Sequence, residues 1–244
     1  MKKSVFPYHP EALYAWMVWL AFLFLSLKSE VYTMFETMEL PVRRGNVPLR
    51  VVKGHFATNH SHINYYIDVT KQKVRLSEAK AMAQELAKNY TNTQIDAILC
   101  LDGMSLIGAC LAEALTSGSR SLCDPDKISL IEPEYDSHGH MIFRDNVQPF
   151  IRNKNVLILM ASITTGYTAN RGVQTTVYYG GKVVGVAGLY RAVDKLDEGS
   201  YPVTSIYSLS DLPDYESYSY ADCPYCKAGR RIEALVKSYG YSKF

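Results

Sequence analysis

A short loop of hydroxyl-bearing residues around one glycine is the part of this chain best suited to chemistry. It consists of Thr164, Thr165, Gly166, Tyr167 and Thr168, and it follows an apolar run over 156–159. A continuous apolar run is typical of a buried strand in a parallel sheet. The residues after the loop are compatible with a helix, whose unpaired first N–H groups and dipole favour an anion. The sequence therefore predicts a phosphate-binding loop between a strand and a helix.

The elements around this loop alternate between strands and helices. We predict strands over 63–69, 97–101, 128–131 and 182–188, and helices over 77–89, where Ser77 would be the N-cap, and over 106–115. Such alternation favours a parallel sheet with right-handed crossovers, in which ligands bind at the carboxyl ends of the strands. The loops at Asp102 and Thr164 both lie there.

Composition narrows the class of protein. The chain has 244 residues, 48% hydrophobic and 20% charged, which is enough for one α/β domain with an extension. A net charge of +2 is too small to imply a nucleic-acid partner. Five cysteines, an odd number without a regular framework, argue against a disulfide scaffold and favour a reducing compartment such as the cytoplasm.

An apolar run over 12–27 precedes the globular part. Its sixteen residues fall short of the roughly 20 that span a bilayer, and no small-residue cleavage site follows it. A membrane anchor, a packing helix and a native start at Met34 or Met38 all remain open. We therefore expect residues 1–33 to form an extension and residues 34–244 to form the functional domain, with membrane contact only if 12–27 is an anchor.

The strand and loop together resemble the signature of the type I phosphoribosyltransferases, in which two acidic residues and then Thr-Thr-Gly-x-Thr follow an apolar strand. Further segments are similar to orotate phosphoribosyltransferases in particular, and they occur in the order of that family. They are Ser61–Asp68 with its Tyr-Tyr-Ile-Asp end, a loop of Asp102, Gly103, Met104 and Ser105, Val183–Gly188 leading to Arg191, and a Cys-Pro-x-Cys tail at Cys223–Cys226.

This resemblance implies a parallel sheet flanked by helices, with a small hood formed by N- and C-terminal segments. It implies transfer of a phosphoribosyl group from 5-phosphoribosyl diphosphate (PRPP) to orotate, with Mg²⁺, in a homodimer. Thr164–Thr168 would bind the 5′-phosphate, Asp102–Ser105 the pyrophosphate, and Arg191 the carboxylate of the base.

Two departures from the family accompany this resemblance. Met160 and Ala161 stand where the family carries the acidic pair that binds the ribose hydroxyls, and neither side chain replaces those bonds. The region of the flexible loop carries glutamates and an aspartate, and its nearby cationic candidates are His138, His140 and Arg144. Ser162 is a weak substitute for one acid. The main alternative is therefore a catalytically impaired protein that binds a nucleotide or a phosphorylated sugar as a sensor. A structural or membrane-tethered dimer, in which the fold is an interaction module, is the third hypothesis.

The histidines and cysteines of this chain are not spaced like the ligands of a known metal site. His55, His60 and His62, with Asp68, match no standard zinc pattern. Cys223 and Cys226 form a single Cys-x-x-Cys pair, and the chain holds no second pair of cysteines with that spacing. No metal is therefore assigned to these residues, and completion of a zinc site by the cysteine pair across a dimer remains open.

Overall fold

A five-stranded parallel sheet lies at the centre of the computed structural model, which describes residues 35–41, 47–117, 122–197, 199, 201–237 and 239–244. We number the elements of these residues in chain order. The strands are β1 (Met38–Glu39), β2 (Arg50–Ala57), β3 (His62–Asp68), β4 (Ala97–Cys100), β5 (Ser129–Ile131), β6 (Glu134–Tyr135), β7 (Met141–Ile142), β8 (Asn155–Ile163), β9 (Lys182–Arg191), β10 (Val203–Ser208), β11 (Ser217–Tyr218), β12 (Ala234–Lys237) and β13 (Gly240–Lys243). The helices are α1 (Thr70–Val74), α2 (Leu76–Ala87), α3 (Ser105–Thr116), α4 (Tyr167–Tyr178) and α5 (Pro224–Lys227), with a 3₁₀ turn at Gln148–Phe150.

The order of the central sheet is β10-β9-β8-β4-β5, and every neighbouring pair is parallel. Its inner strands are apolar because both faces are covered. Leu99, Ile158 and Val186 come from three adjacent strands and are almost fully buried in one core cluster. The predicted parallel sheet is confirmed, and the strand before the threonine loop continues through Met160 and Ala161 to Ile163.

A second sheet forms the predicted hood from both ends of the described chain. Its strand order is β11-β3-β2-β12-β13. The short strand β1 pairs antiparallel with β2 outside this order. Strands β2 and β3 form an antiparallel hairpin whose register shifts between Lys53 and Phe56, which marks a β-bulge. The hairpin turn at 58–61 is fixed by the Thr58 hydroxyl, which accepts hydrogen bonds from the N–H groups of His60 and Ser61 at 3.1 and 2.9 Å.

The start of α2 differs from the prediction. The helix begins at Leu76, its N-cap is Arg75, and no side chain caps it, so Ser77 is not the cap and lies exposed in the first turn. Glu78 supplies the favourable negative charge of that turn, and its carboxylate pairs with Arg50 at 3.2 Å. The chain turns directly from α1 into α2 through the single extended residue Arg75, which leaves Ser77 inside the helix.

Among the described residues, no helix combines the length and the apolar character needed to cross a bilayer. The apolar run over 12–27 lies outside the described residues, so the predicted extension stays a prediction. The five cysteines, all within the described ranges, are free.

Candidate functional site

A cavity of about 340 Å³ opens at the carboxyl ends of β4 and β8. The threonine loop and Asp102 line it from the central sheet, and the hairpin turn at 58–61 lines it from the hood. Lys237 and Tyr239 close it from the C-terminal strands. This is the edge of the sheet where the sequence predicts a ligand, so two of the predicted loops are brought together.

The threonine loop forms a cradle at the start of α4. Thr164, Thr165 and Thr168 all line the cavity. Gly166 is the N-cap of the helix and has a left-handed φ of 79°, a conformation that glycine adopts without strain. The first turn of α4 carries no acidic residue of its own, and the Asn170 side chain in that turn donates a 3.1 Å hydrogen bond to Asp197. An anion such as a phosphate is stabilised at this position.

Tyr167 has a different place from the other loop residues. Its side chain is half exposed and does not line the cavity. Its ring instead packs on His60 of the hairpin turn, with 4.3 Å between the ring centroids. The pair therefore joins the hood to the start of α4 at the rim of the cavity.

The last residues of β8 make one wall of the cavity. Met160 and Ala161 both line it and are each 3% exposed, and Ser162 follows them. Among the described residues that line the cavity, Asp102 supplies the single carboxylate. The wall beside the threonine loop therefore offers one hydroxyl and apolar surface.

The Asp102 loop is a tight left-handed turn before α3. Asp102 and Gly103 have φ values of 57° and 71°, and Ser105 begins the helix. Met104 is fully buried beneath the loop. Of the four residues predicted to bind pyrophosphate, only Asp102 lines the cavity; Gly103 permits the turn, since a side chain there would be strained.

No family model matches the chain. A curated relative, the orotate phosphoribosyltransferase of Caldicellulosiruptor bescii, is 26% identical over 181 residues, which are 73% of this chain and 86% of the relative. The predicted resemblance to the type I phosphoribosyltransferases is confirmed.

Three solved structures were also found, each with a low sequence identity to this chain. Orotate phosphoribosyltransferase of Mycobacterium tuberculosis H37Rv, in complex with Fe(III) dicitrate, is 18% identical over 67% of this chain and 92% of that one, with a TM-score of 0.47. Adenine phosphoribosyltransferase of Trypanosoma brucei, in complex with AMP, pyrophosphate and ribose-5-phosphate, is 17% identical over 72% and 80%, with a TM-score of 0.48. UMP synthase of Leishmania donovani is 17% identical over 66% of this chain and 34% of its own length, with a TM-score of 0.49.

Lys73 lies beside the Asp102 loop, and sequence reasoning missed it. From α1 its Nζ donates a 2.5 Å hydrogen bond to the carbonyl oxygen of Asp102 and lies 5.7 Å from the centroid of the Tyr239 ring. Burial lowers the pKa of Lys73, and the charges of Asp102 and Asp68 oppose that shift. In the sequence, Lys73 could have been noticed from its position five residues after the Tyr-Tyr-Ile-Asp segment, close to the end of α1.

The predicted cations of the flexible loop lie in an exposed β6–β7 hairpin. Arg144 pairs with Glu134 at 2.7 Å, and His140 pairs with Asp136 at 2.8 Å. The hydrogen bond from Arg144 holds the pKa of Glu134 below its usual value. Arg144, His140 and His138 do not line the cavity, whereas Tyr135 of the same hairpin does.

Arg191 ends β9 and forms an ion pair with Asp194. It is not among the residues that line the cavity. Its predicted contact with the carboxylate of a base therefore stays a prediction, and that contact would require the guanidinium to leave Asp194.

Tyr215 is a second residue that sequence reasoning missed as part of the site. It lines the cavity, and its hydroxyl faces Thr164 without meeting hydrogen-bond geometry, so it is a buried donor with no partner among the described residues. Burial raises the pKa of Tyr215, so the hydroxyl stays protonated. A buried unpaired hydroxyl beside a cavity is suited to a polar ligand atom.

Proposed function

We propose that this chain binds a 5′-phosphorylated ribose in the cavity and acts as an orotate phosphoribosyltransferase-like protein, with PRPP and orotate as its ligands. The observation that carries the proposal is the cradle at the start of α4. Its three threonine hydroxyls, left-handed Gly166 and acid-free first turn make one site for a doubly charged phosphate. The relative from Caldicellulosiruptor bescii supports orotate as the base.

In the proposed reaction, a ring nitrogen of orotate forms a bond to C1 of the ribose while the bond from C1 to the pyrophosphate oxygen breaks. Pyrophosphate leaves with the bonding electrons, and the nitrogen proton goes to solvent. The product is orotidine monophosphate. Thr164, Thr165 and Thr168 hold the 5′-phosphate, so that C1 is positioned by an anchored group rather than by diffusion.

The Asp102 loop faces the pyrophosphate side of the cavity in this proposal. Mg²⁺ prefers oxygen ligands and is often held by one or two carboxylates together with substrate phosphates, and the Asp102 carboxylate fits that pattern. When bound, the ion neutralises charge on the leaving pyrophosphate. Lys73 adds a positive charge beside the same loop.

A second candidate function is ligand binding without turnover. The observation that favours it is the pair Met160 and Ala161, which line the cavity as apolar surface. Two charge-assisted hydrogen bonds would stabilise the ribose by about 1.5–3 kcal/mol each, and this wall makes neither. In that case the chain senses a nucleotide or a phosphorylated sugar.

The experiment that tests the proposal combines turnover and binding on the same preparation. PRPP, Mg²⁺ and orotate are added, and the ultraviolet absorbance of orotate is followed while calorimetry measures PRPP binding. Loss of orotate with formation of orotidine monophosphate supports the transferase. Binding without loss supports the sensor, and the absence of binding by PRPP and by orotidine monophosphate contradicts both. The homodimer belongs to the same proposal, and sedimentation equilibrium tests it.

A further inference from the structure

Four side chains from distant parts of the sequence converge on one point in the hood. They are His55, His62, Cys223 and Cys226, and one ligand atom from each lies within 4.8 Å of the others. The Nε2 atom of His55 is 3.3 Å from Nδ1 of His62, 3.4 Å from Sγ of Cys223 and 3.7 Å from Sγ of Cys226. Cys226 Sγ is also 3.2 Å from Nδ1 of His62.

Two parts of the hood position these four side chains: the hairpin of β2 and β3, and the short helix α5. His55 lies in the β-bulge of β2, and a bulge redirects a side chain that regular pleating would point elsewhere. His62 begins β3, on the other side of the hairpin turn. Cys223 is the N-cap of α5, which Pro224 starts, and Cys226 lies within the single turn of that helix. His55, His62 and Cys223 are buried, and Cys226 is exposed.

Hydrogen bonding alone accounts poorly for this cluster. Nδ1 of His55 lies 3.1 Å from the carbonyl oxygens of Arg230 and of Arg231, which only accept, so Nδ1 carries the ring proton. Nε2 is then a bare lone pair, which has room for about one well-placed donor. Three polar groups nevertheless lie within 3.7 Å of it. A single species that accepts lone pairs from all four atoms fits this arrangement better.

We propose that these residues bind one Zn²⁺ ion in a tetrahedral site with two cysteine and two histidine ligands. Zinc bonds of about 2.3 Å to sulfur and about 2.0–2.1 Å to nitrogen give an N···N separation of about 3.3 Å and N···S separations of about 3.5 Å at tetrahedral angles. The observed N···N separation is 3.3 Å, and the observed N···S separations of 3.2, 3.4 and 3.7 Å lie on both sides of the expected value.

The surroundings of the cluster suit the ion. The carbonyls of Arg230 and Arg231 hold the His55 ring in the orientation and tautomer that a ligand needs, as acceptors behind the ligating histidines commonly do at zinc sites. Two thiolates balance the charge of Zn²⁺, so the buried site is neutral. The exposed edge at Cys226 gives the ion a path of entry.

The ion would join the C-terminal tail to the hairpin that lines the ligand cavity. His55 and His62 flank the turn at 58–61, and the Tyr220 hydroxyl donates a 2.8 Å hydrogen bond to the carbonyl of Thr58 from the tail side. Closing a loop of more than 160 residues between His55 and Cys223 restricts the unfolded chain strongly. The zinc site is thus a structural clamp beside the cavity. It does not depend on the proposed function, because no ligand of the cavity takes part.

The first experiment is metal analysis of the full chain with its affinity tag removed. The protein is loaded with zinc sulfate, freed of loosely held metal by gel filtration, and analysed by inductively coupled plasma mass spectrometry. We expect about one zinc per chain. Cobalt loading should produce the visible absorption of tetrahedral Co²⁺ and a thiolate-to-metal charge-transfer band in the near ultraviolet.

Matched variants separate this site from adventitious binding. Cys226→Ser, at the exposed ligand, should lose most of the zinc and weaken the charge-transfer band, whereas Cys110→Ser should retain both. The exposed group Asp136, His138 and His140 is another set of metal-binding side chains. The double variant His138→Ala with His140→Ala should therefore keep a full equivalent of zinc.

Wild-type protein that holds no zinc after loading would overturn the proposal. Retention of a full equivalent by Cys226→Ser together with His62→Ala would overturn it as well. A disulfide between Cys223 and Cys226, found by mass spectrometry in protein purified and loaded under reducing conditions, would replace the zinc site by a redox pair. Metal content is measured only on variants whose mass and circular dichroism spectrum show that they are folded. If a variant misfolds, the cobalt spectrum of the wild type tests the site in its place.

Discussion

Gly166 and Gly180 stand just outside the two ends of α4 with nearly the same left-handed backbone, at φ values of 79° and 82°. An added Cβ would lie 3.3 Å from Cδ2 of Leu196 at Gly166 and 3.5 Å from Cγ of Arg152 at Gly180. The two positions therefore carry a similar backbone requirement, but only Gly166 belongs to the proposed phosphate cradle. This makes Gly180 a matched control for Gly166.

Replacing either glycine by alanine should lower the free energy of unfolding by about 1–2 kcal/mol, because an L side chain is strained in this conformation. Only Gly166→Ala should also weaken binding of ribose 5-phosphate, since it disturbs the N–H groups at the start of α4. Urea denaturation and titration calorimetry measure the two effects. Equal affinities in the two variants would remove Gly166 from the phosphate site.

The threonine hydroxyls provide a more direct test. Thr165→Val with Thr168→Val keeps the shape of the loop and removes two donors to the phosphate. Hydrogen bonds to a charged group contribute about 1.5–3 kcal/mol each, so affinity for ribose 5-phosphate should fall at least about 100-fold. Thr175→Val, later on the same helix and outside the cavity lining, is the control and should bind normally.

The sequence predicted the central sheet and the threonine loop because both depend on local patterns. Apolar runs mark the strands, and the Thr-Thr-Gly-Tyr-Thr loop carries its own turn glycine. Lys73 and Tyr215 were missed because Lys73 reaches the Asp102 loop from α1 and Tyr215 reaches the cavity from the segment before β11, and only the tertiary fold brings them there.

The cluster of histidines and cysteines was missed for a similar reason. His55 and His62 are separated by a hairpin, and Cys223 lies 168 residues beyond His55. Sequence spacing paired the two cysteines only with each other and grouped His60 with the wrong partners. In the structure His60 packs on Tyr167 and does not join the cluster. The second pair of ligands in the proposed zinc site is His55 in the β2 bulge and His62 at the start of β3.

Introducing two acidic residues at the end of β8 tests whether a bound ribose contacts this wall of the cavity. Met160→Asp with Ala161→Asp should tighten PRPP binding at least about 10-fold in the presence of Mg²⁺, through hydrogen bonds to the ribose hydroxyls. The same change should lower the stability of the free protein, because it buries two charges without partners. Met160→Asn with Ala161→Asn is the uncharged control. No gain over this control would show that the ribose does not meet this wall.

Alkaline pH should destabilise the fold through buried tyrosines. Burial raises the pKa of Tyr66 and of Tyr90 from 10.0 to about 12. Unfolded tyrosine ionises near pH 10 while the folded hydroxyls stay protonated. Their contribution to stability is therefore complete below pH 10 and is lost as the pH rises towards about 12.

Urea denaturation across that pH range measures this loss. Tyr90→Phe should make the decline of the unfolding free energy shallower, since it removes one of the titrating groups. Tyr178, which is 83% exposed, provides the control variant Tyr178→Phe, whose decline should match that of the wild type. A decline unchanged in Tyr90→Phe would mean that other groups govern alkaline unfolding.

The most direct measurement of the central claim compares orotidine monophosphate with orotidine by titration calorimetry on the wild-type chain. The two ligands differ only in the 5′-phosphate. If the cradle at the start of α4 binds that phosphate, orotidine monophosphate should bind at least about 100-fold more tightly than orotidine. Equal affinities, or no binding of either ligand, would contradict a phosphoribosyl site in this cavity.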